Sequence, residues 1–264
     1  MNEFDSMIYN DMTWSFSRLD CFDQCPLMWH KIYIDCEPKR QNAFAQYGSL
    51  VHSIIERLLK GEIDTFDAAG VFEKEFAEKI TVDFPPIKNG DLRSNYYEKG
   101  LDYFSNLSAN DDIAKILGVE EEIRFEISGK PFIGYIDLRY LDRDGNMVIQ
   151  DQKSSNIKFK KDGNPAKASA EKMKHYEYQV YLYSKPFIES GEKVDRLRWN
   201  FFNNQTYYEI PWTANGYKEA INWAEDRLET IGNEALWLPK PDWYFCHNIC
   251  DVSEGCEYKG ELVS

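Results

Sequence analysis

Apolar residues recur every three or four positions along the first hundred residues, which predicts a mainly helical amino-terminal part. The clearest case is the stretch 48–59, where one helical stripe would carry Leu50, Ile54, Ile55 and Leu58. Ser15 or Ser17 is suited to capping a shorter helix that runs through Trp29. Further helices are expected at residues 65–79, 92–107, 168–188 and 214–231.

Beyond residue 118 the pattern changes to alternating or continuous apolar positions, rich in β-branched and aromatic side chains, which predicts strands. Three predicted strands follow one another, in the segments EEEIRFEIS, PFIGYIDLRYL and NMVIQDQKS. Short turn-forming sequences link them, so we expect antiparallel neighbours. Two more strands, RLRWNFFN and TYYEIPW, flank a turn at residues 203–205.

No linker-like stretch divides the chain, so we predict one α/β domain over residues 1–264. Residues 1–118 would form its mainly helical part, 119–212 its sheet core, and 213–264 a helix followed by a cysteine-rich tail. With 43% apolar and 15% aromatic residues, the chain can bury a large core. It has no apolar run near eighteen residues and no charged-then-apolar amino terminus, so we expect a cytoplasmic protein without a membrane span.

The net charge of −14 disfavours general binding to nucleic acid, because phosphate contacts need lysine and arginine. The charge is unevenly distributed, however. Residues 153–174 contain seven lysines and two acidic residues, and three of these lysines follow closely on a predicted strand: Lys158, Lys160 and Lys161. A solvated loop is the plainer interpretation of this basic strip, and a surface that contacts DNA is the functional one.

The segment MVIQDQKSSN raises a chemical question, because a strand that begins apolar ends in two opposite charges. Asp151 and Lys153 are two residues apart and therefore share one face of a strand. Asp137 stands near the end of the preceding strand, and the register decides whether it meets Asp151. Two carboxylates suit Mg²⁺ or Mn²⁺, and a nearby lysine can position water and stabilise charge developing on a phosphate. A surface ion pair is the plainer alternative.

Two further signals are weaker. His52 lies on a predicted helix whose other positions are mostly apolar, where a histidine is more often a satisfied core residue than a ligand. Gln179 and Tyr183 are four residues apart on one face of another helix. They can contact a phosphate or a base, or simply belong to an amphipathic helix. Neither signal alone predicts a function.

Taken in their order along the chain, these features resemble the RecB-like branch of the PD-(D/E)XK nuclease superfamily. The matching elements are Ser17-x-Leu19, Cys25-Pro26, Gly48-Ser49-x-x-His52, Gly134-x-Ile136-Asp137, Asp151-x-Lys153 and Gln179-x-x-x-Tyr183. The resemblance extends over residues 14–258. It implies a restriction-endonuclease-like α/β core, with a mixed central sheet flanked by helices, an N-terminal helical region and a C-terminal cysteine-rich, metal-bound tail.

The resemblance also implies roles for the matching residues. Those expected to be catalytic are Asp137, Asp151 and Lys153, and those expected to bind Mg²⁺ or Mn²⁺ are His52, Asp137, Asp151 and the backbone carbonyl of Gln152. Those expected to contact DNA are Gln179 and Tyr183, joined by Lys158, Lys160 and Lys161 of the basic strip. Position 151 is Asp and not Glu. The resemblance implies that this branch accepts the Asp-x-Lys form. Glu120, Glu121 or Glu122 could supply another carboxylate, and the sequence does not choose among them.

The carboxy-terminal segment WYFCHNICDVSEGCEY contains Cys246, Cys250 and Cys256, with three and then five residues between them. Three cysteines in eleven residues of a turn-rich terminus indicate a metal site that needs a fourth ligand, for which Cys25 is the natural candidate. Cys21 and His247 are alternatives.

The iron–sulfur members of the branch hold a [4Fe–4S] cluster in this way, which the resemblance implies here for Cys25, Cys246, Cys250 and Cys256. Their usual first spacing is two residues, and four thiolates also suit Zn²⁺. Cys21 and Cys36 can instead be buried structural residues.

The resulting expectation is a divalent-metal-dependent DNA nuclease, acting as an exonuclease on single-stranded DNA in recombination, repair or phage DNA metabolism within a bacterial or phage-infected cell. Aromatic side chains near the basic strip are candidates for stacking on unpaired bases: Phe159, Tyr176 and Tyr178. Relatives also suggest a homo-oligomer or a recombination partner protein. The alternative is a catalytically silent module that binds DNA ends or a partner while retaining the fold and a structural metal site.

Overall fold

The computed structural model describes residues 2–107 and 112–261. Its helices are α1 (Glu3–Asp11), α2 (Phe16–Gln24), α3 (Pro26–Tyr33), α4 (Ala43–Leu59), α5 (Ala68–Lys79), α6 (Leu92–Ser105), α7 (Ala170–Tyr183), α8 (Lys185–Glu189), α9 (Ala214–Asn233) and α10 (Trp243–Asn248). Short 3-10 helices occupy Lys167–Ser169, Phe202–Asn204, Ser253–Gly255 and Glu257–Glu261. The last residues of the predicted C-terminal segment, 262–264, lie outside the described residues. None of the described helices combines the length and the apolar character needed to cross a membrane.

The strands form one five-stranded sheet in which the order along the chain is also the order in space. They are β1 (Ile113–Ile127), β2 (Lys130–Asp142), β3 (Met147–Lys153), β4 (Arg196–Phe201) and β5 (Thr206–Pro211). Strands β2 and β3 pair antiparallel, β3 and β4 parallel, and β4 and β5 antiparallel. The sheet is therefore mixed, and the chain has the helix-flanked α/β fold expected of a restriction-endonuclease-like core.

Two compact units make up the chain. The first comprises Met1–Asn42, Arg124–Gly134 and Ile221–Ser264. Its core is rich in indole rings: those of Trp14 and Trp29 stack with centroids 6.1 Å apart, and those of Trp29 and Trp237 with centroids 5.3 Å apart. Such stacked pairs stabilise the folded state by more than the burial of their apolar area alone.

The second unit comprises Ala43–Ile123 and Tyr135–Ala220. Its largest described apolar cluster is built by the inward faces of α4, α5 and α6, and includes Leu50, Ile54, Phe72, Phe76 and Phe104. The aliphatic stripe predicted for residues 48–59 is thus the buried face of α4, which begins five residues earlier, at Ala43. This packing fixes α4 beside the sheet strands of the same unit.

Several predicted boundaries were wrong for local reasons. The helix expected through Trp29 is divided at Cys25, because Pro26 cannot continue the preceding hydrogen-bond ladder and instead starts α3. The helix expected over 168–188 is likewise divided at Ser184, two residues before Pro186. Strand β1 begins at Ile113, within the part predicted to be mainly helical. Ser15 caps α2, since its Oγ accepts a hydrogen bond from the Arg18 N–H at 3.3 Å.

Candidate active site

His52 lies on α4, at the edge of the buried stripe. Its Nε2 is 3.0 Å from the carbonyl oxygen of Gln152, and its Nδ1 is 3.8 Å from Oδ2 of Asp137. A carbonyl only accepts hydrogen bonds, so Nε2 carries the hydrogen and Nδ1 presents a lone pair. Burial lowers the pKa of His52, against the opposing effect of the Asp151 charge, which favours the neutral imidazole that metals require.

Asp137 meets the end of β3, which answers the question of register that the sequence left open. Leu138 stands opposite Gln150 in the antiparallel pair β2–β3. One residue further along, Oδ2 of Asp137 accepts a hydrogen bond from the Gln152 N–H at 2.5 Å. Burial and then the charge of Asp151 raise the pKa of Asp137 to about 8. Asp137 therefore lies close enough to Asp151 for the two carboxylates to repel each other.

Glu120 is the third member of this cluster. One ligand atom each of His52, Glu120 and Asp137 lies within 4.8 Å of the others, the one such group of three among residues 2–107 and 112–261. Burial and then the charge of Asp137 raise the pKa of Glu120 to about 7. The backbone of Glu120 has φ +50°, in the left-handed region that side-chain-bearing residues rarely adopt.

The structure thereby distinguishes the three neighbouring glutamates. Glu121 forms two 2.8 Å hydrogen bonds with the guanidinium of Arg139, and Glu122 accepts a hydrogen bond from the Tyr135 hydroxyl at 3.1 Å. Only Glu120 joins His52 and Asp137. Simple strand alternation does not select it, because the left-handed residue interrupts the two-residue period. The positive φ is a local feature that propensity alone does not reveal for a glutamate.

Lys153 is mostly buried at the end of β3. Its Nζ lies 2.8 Å from Oδ2 of Asp151 and donates a hydrogen bond to Oε1 of Gln179 at 2.8 Å. Burial is the largest single effect and lowers the pKa of Lys153, but the charge and hydrogen bond of Asp151 and the other neighbouring groups together raise it by more, so the ammonium stays charged. Gln179 is in turn 3.5 Å from the Tyr183 hydroxyl, whose pKa burial raises to about 12. The helix face predicted to contact DNA therefore also holds the lysine.

Gln152 itself is 3% exposed, and its side chain is directed into a buried polar network. Its Oε1 accepts a hydrogen bond from Nδ2 of Asn200 at 2.7 Å, and the same Nδ2 lies 2.7 Å from the Tyr103 hydroxyl. These bonds fix the Gln152 side chain near the end of β3. The Gln152 carbonyl, predicted as a metal ligand, is used by His52 through one lone pair and retains a second.

An open groove of about 400 Å³ leads to the cluster. Its lining consists of Gly48, Ser49, His52, Ser53, Glu56 and Glu120. Gly48 lies close to Ser154, the residue that follows β3, since a Cβ at position 48 would be 3.3 Å from the Ser154 Oγ. Two of the three clustered ligand groups, His52 and Glu120, are thus accessible to a substrate from solvent.

The middle of the basic strip, residues 159–165, is a turn closed by a bridge between Phe159 and Pro165. The predicted DNA contacts Lys158, Lys160 and Lys161 are exposed at or beside this turn. The ring of Phe159, a candidate for base stacking, packs 5.7 Å from the rings of Phe201 and Tyr208. Phe159 therefore anchors the strip to β4 and β5.

The cysteines of the tail line a second cavity, in the first unit. This small cavity, of about 20 Å³, is lined by Cys25, Cys246, Cys250 and Cys256, together with Met28, Lys31, Ser253 and Lys259 among others. Burial, followed by the neighbouring thiols, raises the pKa of Cys250 to about 11. The structure thus brings together all four cysteines predicted as ligands.

The alternative ligands lie elsewhere. Cys21 is buried but absent from the cavity lining, and His247 donates through Nδ1 to the Trp243 carbonyl at 2.8 Å. Cys36, considered as a buried structural residue, is exposed with φ +56°, so that interpretation was wrong. Its conformation places it just beyond α3, where no core covers it.

Comparison with known proteins places the fold and the site in a class. The family model described as the PD-(D/E)XK nuclease superfamily matches residues 13–259. The chain therefore belongs to the PD-(D/E)XK nuclease superfamily, and by class it is a nuclease. No curated protein matches the sequence.

Two solved structures are similar to the chain. One is a candidate exonuclease from Eubacterium rectale, with 14% identity, a TM-score of 0.53, and coverage of 100% of this chain and 92% of that one. The other, named SSO0001, has 18% identity, a TM-score of 0.34, and coverage of 90% of this chain and 96% of that one. The first likeness supports the fold alone.

Proposed function

We propose that this chain is a divalent-metal-dependent deoxyribonuclease that degrades single-stranded DNA from an end. The observation that carries the proposal is the convergence of His52, Glu120 and Asp137 next to Asp151 and Lys153. Carboxylate oxygens and one imidazole suit Mg²⁺ or Mn²⁺. Burial and then the charge of a neighbouring carboxylate raise the pKa values of Asp137 and Glu120, and a bound dication would relieve that repulsion.

The chain's own residues divide the work of phosphodiester hydrolysis. His52, Glu120, Asp137 and Asp151 would hold Mg²⁺ or Mn²⁺, which when bound lowers the pKa of water and polarises the phosphate. Lys153 is positioned to donate hydrogen bonds to the water or to the phosphate oxygen on which negative charge develops. Gln179 holds the ammonium of Lys153 and, with Tyr183, would lie beside the path of the DNA strand.

The preference for single strands is supported by the charge distribution. A chain of net charge −14 repels duplex more strongly than the less densely charged single strand, and the exposed lysines at 158, 160 and 161 supply local phosphate contacts. The resemblance to the RecB-like branch adds the end preference and a role in recombination, repair or phage DNA metabolism in the cytoplasm. It also adds the proposed homo-oligomer or recombination partner.

Degradation of labelled DNA tests the proposal. We expect Mg²⁺ or Mn²⁺ to support release of nucleotides from linear single-stranded DNA, and EDTA to stop it. Circular single strands of the same sequence provide the matched control for end dependence. Cleavage of the circles would exclude a strict exonuclease, and binding of ends without metal-dependent cleavage would favour the silent-module alternative.

Replacing Glu120 with glutamine should weaken Mn²⁺ binding by about 10- to 100-fold, because an amide supplies no charge to the dication. Isothermal titration calorimetry of the free protein measures this affinity. The matched control is Glu121→Gln, which changes the neighbouring residue but only weakens the contact with Arg139. Equal Mn²⁺ affinity in Glu120→Gln and the unmodified chain would remove Glu120 from the site.

We further propose that Cys25, Cys246, Cys250 and Cys256 hold a [4Fe–4S] cluster. The residues fit the group: four thiols line one cavity, where the fully buried Ser253 Oγ has no hydrogen-bond partner among the described residues. No three of these thiols lie within 4.8 Å of one another in the described part of the chain. Four thiolates also suit Zn²⁺, so metal analysis of the purified protein distinguishes the cluster from zinc.

Anaerobic purification should therefore give a brown protein, whereas a colourless zinc protein would contradict the iron assignment. Replacing Cys250 with serine should lower the melting temperature by about 6–12 °C, since the cavity loses a ligand and ligation energy is folding energy. The control is Cys36→Ser, at an exposed cysteine outside the cavity. Equal melting temperatures for both variants would show that no metal stabilises this unit.

A further inference from the structure

Tyr176 lies on the face of α7 that carries Gln179 and Tyr183, because the three stand at positions i, i+3 and i+7. The centroid of its ring is 4.7 Å from Nζ of Lys153. Its hydroxyl donates a hydrogen bond to Oγ of Ser155 at 2.7 Å, which restricts the orientation of the ring. The ring is thus held against the ammonium from a position outside the motifs that define the site.

The surroundings of the ammonium show what this contact can do. Asp151 and Gln179 each place one oxygen 2.8 Å from Nζ of Lys153. The negative face of the Tyr176 ring attracts the same charge without using a directional acceptor. An ammonium has three N–H donors, so two are engaged and one stays available for a water molecule or a phosphate oxygen.

We propose that Tyr176 is a positioning residue for Lys153 in phosphodiester hydrolysis, an inference that rests on the nuclease function proposed above. Asp151 attracts the ammonium towards β3, whereas Gln179 and the ring of Tyr176 attract it towards α7. The balance fixes Nζ between strand and helix, at the distance from substrate that hydrolysis requires. Small displacements of a catalytic group are costly, because the reacting geometry tolerates little change.

This role differs from stacking on an unpaired base, which the sequence suggested for Tyr176. A stacking platform contributes to binding and therefore to KM, whereas a residue that positions the lysine contributes mainly to kcat. The contact with Lys153 occupies the ring in the described structure. Loss of the Tyr176 ring should therefore raise KM if the ring stacks on a base, and should lower kcat if the ring positions Lys153.

Kinetics of the full-length protein on labelled single-stranded DNA test the inference. Tyr176→Leu should lower kcat by about tenfold or more with KM changed by less than about twofold, and Tyr176→Phe, which keeps the ring, should stay within about threefold of the unmodified kcat. The matched control is Tyr207→Leu, at an exposed tyrosine of β5 whose ring centroid lies 4.4 Å from the guanidinium carbon of Arg198 instead. It should leave kcat unchanged.

A series that preserves shape guards against a folding defect in the leucine variant. Phenylalanine and its mono-, di- and trifluorinated analogues are introduced at position 176, and fluorination weakens the negative face of the ring stepwise. We expect kcat to fall with each added fluorine. A constant kcat along the series, or a leucine variant in which only KM rises, would overturn the inference. An unmodified chain without metal-dependent cleavage would instead overturn the proposed function itself.

Discussion

A chain in which Lys153 is replaced by alanine should cleave DNA about 100- to 1000-fold more slowly than the unmodified chain at saturating Mn²⁺. The physical reason is that the variant lacks the preorganised positive charge that stabilises the phosphate in the transition state. The His52, Glu120 and Asp137 groups remain, so Mn²⁺ affinity should change little. Single-turnover cleavage of labelled single-stranded DNA measures the effect, and circular dichroism verifies the fold.

Two further variants separate charge from packing and from binding. Lys153→Met keeps most of the aliphatic volume, so its loss of rate reports the missing charge. Lys158→Ala removes an exposed cation from the basic strip and should weaken DNA binding and its salt dependence while kcat stays near normal. Undiminished cleavage by Lys153→Ala would mean that the chemistry takes place elsewhere. Because the change leaves the buried Asp151 without its cation, stability is compared with Mn²⁺ present.

The parts of the site that follow from regular periodicity were predictable from the sequence. Asp151 and Lys153 share a strand face because they are two residues apart, and Gln179 and Tyr183 share a helix face because they are four apart. The mixed sheet and the membership of the nuclease superfamily also agree with the prediction. The shared faces depend only on local geometry, whereas the mixed sheet and the superfamily follow from the order of short motifs along the chain.

What the sequence did not determine depends on single backbone conformations. The choice of Glu120 over Glu121 and Glu122 follows from one positive φ angle, and no propensity singles out a glutamate for it. The meeting of Asp137 with the end of β3 follows from the register, which the turn between β2 and β3 sets. In that turn Oδ1 of Asp142 accepts hydrogen bonds from two backbone N–H groups, of Asp144 and Asn146.

The cysteine site shows the same division. The spacing of Cys246, Cys250 and Cys256 predicts a ligand set, for which the sequence favours Cys25 as the fourth member and leaves Cys21 as an alternative. The helix break at Pro26 gives the two cysteines different surroundings. It ends α2 at Gln24 and makes Cys25 the N-cap of α3. Cys25 consequently lines the cavity, whereas Cys21 does not.

Replacing Asp137 with asparagine should abolish metal-dependent cleavage, by about 100-fold or more, and should also make the metal-free protein less sensitive to pH. In the native chain the pKa of Asp137 is raised to about 8 and that of Glu120 to about 7. Between about pH 4 and these values the folded state keeps protons that the unfolded state has lost. The free energy of unfolding of the metal-free protein should therefore fall as pH rises through this window.

Mn²⁺ reverses the sign of this dependence, because the dication binds only the deprotonated carboxylates and compensates their repulsion. The stabilisation that Mn²⁺ gives should grow from pH 6 to pH 8.5, and Mn²⁺ affinity should rise by up to about tenfold per pH unit for each proton displaced. Thermal unfolding with Mn²⁺ or EDTA measures both effects. Glu122→Gln, outside the cluster, should behave as the unmodified chain. Mn²⁺ stabilisation that is equal at both pH values, or that persists in Asp137→Asn, would show that Asp137 does not bind the metal.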